Sequence, residues 1–114
     1  MIQSIGLIIY PVKDIAQAKT AYAKFLGVEP YAATAYYVGY KVADQEIGLD
    51  PQGHNQGMTG PIAYWYVDDI KKNLQSMLEA GAQTQQDIRD VGGGKLIARV
   101  KDADGNVTGL VQMP

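Results

Sequence analysis

With 114 residues, 46% of them hydrophobic and 19% charged, the chain has the length and balance of one folded domain, neither disordered nor long enough for two. A net charge of −2, with no run of Lys or Arg to track phosphates, argues against nucleic-acid binding. The absence of cysteine excludes disulfides, thiol nucleophiles and thiolate metal sites.

Taken in chain order, Met1-Ile2-Gln3-Ser4 carries no basic stretch, and the apolar run that follows breaks at Tyr10-Pro11 and Lys13. That is too short for a membrane span and unlike a signal peptide, so the expectation is a cytoplasmic protein with no membrane partner. Ile5 to Tyr10 reads as a buried strand ended by Pro11. Asp14 followed by Gln17 resembles a capping box. Ile15, Ala18, Tyr22, Phe25 and Leu26 form one helical face, and Gly27 supplies the C-terminal stop; a helix is predicted over 14–26. Thr34 to Tyr40 and Gln45 to Asp50 read as strands joined near Val42-Ala43-Asp44, and the turn formers of 51–60 read as a linker.

The pattern then restarts. Ile62 to Val67 is a strand, Asp68 or Asp69 caps a helix with Ile70, Leu74, Met77 and Leu78 on its apolar face, and Gly81 ends it. Three strands follow, Gln83 to Arg89, Lys95 to Lys101 and Asn106 to Met113, with Asp104-Gly105 as the turn of the last hairpin. Val12-Lys13-Asp14-Ile15 matches Val67-Asp68-Asp69-Ile70, and the segment from Ala43 to Leu49 resembles that from Ala103 to Leu110. Both order and caps repeat, which points to an internal duplication. The chain thus reads as a single α+β domain over 1–114, with one βαβββ unit in 1–52, a linker in 51–60 and a second unit in 61–114.

A βαβββ unit covers one face of its sheet with its helix and leaves the other open. Two tandem copies are expected to turn their open faces on a shared concave cleft, the usual place for a ligand. Strand alternation puts Leu7 and Ile9 on one face, as it does Glu46 with Gly48, Ile62 with Tyr64 and Tyr66, and Gly109 with Val107 and Val111. Glycines and aliphatics at the centre predict a roomy, greasy hollow with tyrosine hydroxyls as polar handles. The alternative is that these side chains pack on one another or on a second subunit. Glu46 is either a ligand anchor or base, or an exposed residue at a strand end. His54, the only histidine, reads as an exposed loop residue.

Val12-Lys13-Asp14 at the first strand–helix joint, Ala21-Tyr22 on the helix, Val67-Asp68-Asp69, and the segment from Lys101 to Asn106 together resemble the vicinal oxygen chelate superfamily of glyoxalases, bleomycin-resistance proteins and extradiol dioxygenases. The resemblance implies tandem βαβββ units forming a mixed-sheet half-barrel. In its metal-using members, it implies ligands on the first and last strand of each unit. Those positions here are Leu7, Gly48, Ile62 and Gly109, none of which offers a donor atom. The expectation is therefore no metal, no cofactor and no catalytic residue. A small hydrophobic or aromatic ligand would lie between the repeats, lined by Leu7, Ile9, Glu46, Gly48, Ile62, Tyr64, Tyr66, Gly109 and Val111. Two alternatives stay open: a lyase, isomerase or dioxygenase with a non-standard site, and a dimerisation module without ligand. A homodimer is expected, and the resemblance marks Pro11 as a hinge for strand exchange between subunits.

Overall fold

The computed structural model describes residues 2–114; Met1, the first residue of the N-terminal segment read above, lies outside them. The described residues run β1 (Ile2–Pro11), α1 (Ile15–Leu26), β2 (Ala32–Ala33), β3 (Val38–Val42), β4 (Gln45–Asp50), then β5 (Ile62–Val67), α2 (Ile70–Glu79), β6 (Gln83–Asp90), β7 (Leu96–Lys101) and β8 (Val107–Gln112). This is a βαβββ order given twice, in an α+β chain. No helix among the described residues is long and apolar enough to cross a membrane.

The chain divides into two compact units, Leu7–Ile62, and Ala63–Pro114 with the N-terminal residues up to Gly6. The division falls inside β1 and at the start of β5, whereas the repeat boundaries read from sequence put all of the first strand in the first copy. Each unit builds the same ladder. β4 pairs parallel with β1 and antiparallel with β3, which pairs antiparallel with β2. Likewise β8 pairs parallel with β5 and antiparallel with β7, which pairs antiparallel with β6. Even the register repeats: Ile9 stands opposite Gly48, and Tyr64 opposite Gly109.

Local chemistry fixes the element ends. Asp14 Oδ1 accepts from the Gln17 amide at 3.1 Å, and Asp69 Oδ1 from the Lys72 amide at 3.1 Å, so Asp69 rather than Asp68 caps α2. Gly27, at φ 74, donates its amide to Ala23 O and closes α1. The expected strand over Thr34 to Tyr40 begins only at Val38. The Thr34 hydroxyl accepts from the amides of Tyr36 and Tyr37 at 3.1 and 3.0 Å, folding 34–37 into a turn that competes with the ladder. In 51–60 the chain makes one 3-10 turn at His54–Gln56 and buries Met58, and His54 is exposed.

Each helix packs on one face of its own strands. In the first unit Val38, Tyr40, Ile47 and Leu49 form the core, with Ile8, Tyr10 and Val12 of β1 and the apolar face of α1 against them. Phe25, predicted for that face, is instead 80% exposed, edge-on to Tyr22. The buried Tyr40 hydroxyl donates to Lys19 O at 2.7 Å, and desolvation raises its pKa. In the second unit Val67, Ile70, Leu74, Ala98, Val100 and Leu110 play the same part.

The β7–β8 turn carries a pH dependence. The Asp102 carboxylate accepts from the Asn106 side chain and from the amides of Asp104 and Asn106 at 2.8–3.0 Å. These bonds, the Asn106 side chain first, hold its pKa below the ordinary carboxylate value. A depressed folded-state pKa contributes stability above the unfolded value, lost as pH falls through the folded one. Asp102→Ala should therefore lower stability at pH 7, and its gap from the wild type should shrink as acid titrations pass below the normal carboxylate range. A gap that stays constant between pH 7 and pH 3 would show that the carboxylate charge does not matter.

Candidate functional site

The strand face turned away from each helix is identified by its neighbours. Ile47 and Leu49 lie in the helix-side core of the first unit, so Glu46, Gly48 and Asp50 point to the other face. Leu110 lies in the helix-side core of the second unit, so Gly109 and Val111 point away from α2. In the first unit Leu7 pairs with Glu46, and Ile9 with Gly48. In the second Tyr64 pairs with Gly109, and Tyr66 with Val111. Leu7, Gly48, Ile62, Tyr64, Gly109 and Val111 are buried; Ile9, Glu46 and Tyr66 are half-buried.

Within each unit, tyrosine rings lie against the glycines of this face. A Cβ on Gly48 would lie 2.4 Å from the Tyr37 hydroxyl, and one on Gly39 would lie 2.8 Å from the Tyr31 ring. A Cβ on Gly109 would lie 2.3 Å from Tyr64 Cδ2. The Tyr66 ring likewise covers Gly6, and it lines an open groove of about 450 Å³ with Gln3, Asp68, Gln112 and Met113. Glycine lets an aromatic ring lie flat on backbone, a device that stabilises strands otherwise weakened by the missing side chain. The result is aromatic surface with phenol groups at its edge.

In the first unit that edge is polar. The Tyr31 hydroxyl donates to Glu46 Oε2, and Lys41, the cross-strand neighbour of Glu46, places its ammonium 5.0 Å from the Tyr31 ring centroid. Glu46 is thus neither free in solvent nor isolated. Tyr31 is half-exposed and Tyr36 77% exposed, while Tyr37 is turned inward by the Thr34 turn. Tyr31 escaped notice in the sequence because it stands outside any predicted strand and reaches Gly39 from a loop.

In the second unit one lateral row crosses four strands on the helix-free face: Tyr64, Gly109, Arg99 and Gln86. Arg99 is 6% exposed, and its Nε donates to Gln86 Oε1 at 2.9 Å. The sequence reading gave Arg99 no role. The signal was available, since the hairpin turn after Lys101 fixes Lys101 opposite Val107 and hence Arg99 opposite Gly109.

The metal positions implied by the family resemblance do not fit a metal. Leu7 and Ile62 offer hydrocarbon, and Gly48 and Gly109 offer no side chain at all. Among the described residues no three His, Cys, Asp or Glu side chains converge in a way that could hold an ion.

Residues 4–110 match the model of the Glyoxalase/Bleomycin resistance protein/Dioxygenase superfamily. Among curated proteins none matches the sequence. Solved structures share the fold. Methylmalonyl-CoA epimerase from Mycobacterium tuberculosis superposes with a TM-score of 0.77 at 16% identity, over 99% of this chain and 89% of that one. A glyoxalase/bleomycin resistance protein/dioxygenase superfamily member from Vibrio splendidus 12B01 gives 0.73 at 15%, over 99% and 100%. The Mn(II)-bound glyoxalase from Novosphingobium aromaticivorans gives 0.69 at 19%, over 97% of this chain and 39% of that one. At these identities the likeness is one of fold, and chemistry has to be read from the residues present.

Proposed function

We propose, for a chain that belongs to the glyoxalase/bleomycin resistance protein/dioxygenase superfamily, a binding role: it holds a small hydrophobic or aromatic molecule on the helix-free faces of its strands, without a metal ion. The observation that carries this reading is the chemistry of four positions. Leu7, Ile62, Gly48 and Gly109 occupy the positions that the family resemblance implies for metal ligands and carry no donor atom there, and Tyr37 and Tyr64 lay their rings on the two glycines. Such a face offers dispersion and ring stacking to a flat apolar ligand, with phenol hydroxyls to orient its polar end.

A thermal-shift screen with planar aromatic and antibiotic-sized compounds tests the reading. A true ligand at ten times its dissociation constant adds about 1.4 kcal/mol. For a chain of this size that is a rise of roughly 4–8 °C in the midpoint. At least one such hit is expected. A broad panel that leaves the midpoint unmoved would count decisively against a binding role.

A further inference from the structure

Among the described residues Arg99 is the only charged side chain that is buried. A guanidinium stays charged at every pH a folded protein experiences, and burial of such a charge is costly unless an anion compensates it. What Arg99 has instead is a neutral amide: its one hydrogen bond among the described residues runs from Nε to Gln86 Oε1. That bond occupies the Nε side of the guanidinium and leaves the fork of the two terminal nitrogens. No fully buried side-chain nitrogen or oxygen among the described residues lacks a partner, so those terminal nitrogens keep access to the space off the strand. Gln86 thus fixes the plane of the group while neutralising none of its charge.

The setting of that fork is specific. Arg99 stands across from Gly109, whose far neighbour in the row is Tyr64, each step being about 4.8 Å. Gly109 adds no side chain between them, and the Tyr64 ring lies on it. The backbones of Arg99 and Tyr64 are therefore about 10 Å apart in the row, with the Tyr64 ring over Gly109 between them, so the charged group and the aromatic ring share one face.

We infer that Arg99 is an anion-recognition residue, and that the ligand of this face is an aromatic or apolar molecule bearing one carboxylate, received by the terminal fork of Arg99 that Gln86 holds in place. This rests on the binding role proposed above and names its ligand class. A single guanidinium with one open fork matches a planar monoanion, whereas a phosphate dianion calls for further donors.

The test compares 2-naphthoate, its methyl ester and 2-naphthyl phosphate by calorimetric titration of the full chain and of Arg99→Met and Arg99→Lys. The acid should bind about tenfold or more tightly than the ester, the worth of one charge-assisted pair. In Arg99→Met the acid-to-ester ratio should fall to about one, and in Arg99→Lys, which keeps the charge but loses the fork, to an intermediate value. Because replacing an uncompensated buried charge by a hydrocarbon is neutral or stabilising, ligand-free Arg99→Met should melt no lower than the wild type. Should Arg99→Met fail to fold, Arg99 is a structural residue and the inference falls unless Arg99→Lys, folded, still loses preference for the acid. Equal affinity of acid and ester in the wild type would overturn the inference while leaving the binding role standing. Tighter binding of the phosphate would overturn the carboxylate assignment. If neither acid nor ester binds, in a protein that other aromatic compounds stabilise, the inference alone fails; if nothing aromatic binds, both do.

Discussion

Replacing Gly109 by alanine is expected to cost about 3 kcal/mol, the upper end of what overpacking a filled interior does. The added methyl would stand 2.3 Å from Tyr64 Cδ2 and 2.5 Å from Tyr64 Cγ. Those atoms are the root of a ring that is 5% exposed, so the ring cannot pivot clear without leaving its seat. The same substitution at Gly48 meets first the Tyr37 hydroxyl, the far end of a half-buried side chain able to swing, and should cost about 1 kcal/mol. Denaturant titrations of the two variants check the difference. If Gly109 does its work through the ring, Gly109→Ala combined with Tyr64→Ala should cost less than the sum of the two single changes. Equal losses at Gly48 and Gly109, or strict additivity with Tyr64→Ala, would mean that the ring contact is not what demands glycine.

Leu110→Ala should cost about 3–4 kcal/mol, a deletion from a site too rigid to collapse. Leu110 is 1% exposed on the central parallel strand of the second unit, and it packs in one cluster with Val67, Ile70, Leu74, Ala98 and Val100. Those partners come from β5, α2 and β7, so the cavity would open where three elements meet. Leu110→Met, which keeps volume, should cost less than about 1.5 kcal/mol. A loss below 1 kcal/mol for Leu110→Ala would mean that the helix settles into the gap and that the core is softer than its burial implies.

Much of the fold was legible because it rests on period and punctuation. Asp14 read as a cap, Asp68 or Asp69 as the second and Gly27 as a stop, and Ile8 and Val67, opposite in parity to Leu7 and Tyr64, lie in the helix-side clusters. The segment 34–37 was misread because Thr34, Tyr36 and Tyr37 favour strands, whereas the Thr34 side chain captures two backbone amides that a strand would have used. The face was legible only in outline. Parity tells which way Gly48 and Gly109 point, but not that Tyr37, arriving from a turn, and Tyr64, its neighbour in the ladder, lie down on them. The hairpin of β7 and β8 was enough to place Arg99 opposite Gly109, but its partner Gln86 was not legible, because that pairing depends on the irregular register of β6 against β7, which shifts between Gln86 and Arg89.

What remains is to separate adhesion of an aromatic molecule to bare side chains from coordination by an ion. Calorimetric titration of a stabilising ligand into the protein before and after exhaustive dialysis against EDTA does so in one comparison. The same dissociation constant is expected in both samples, since Leu7, Gly48, Ile62 and Gly109 give an ion nothing to hold. Affinity that disappears with the chelator and returns on adding manganese, nickel or zinc would contradict the account.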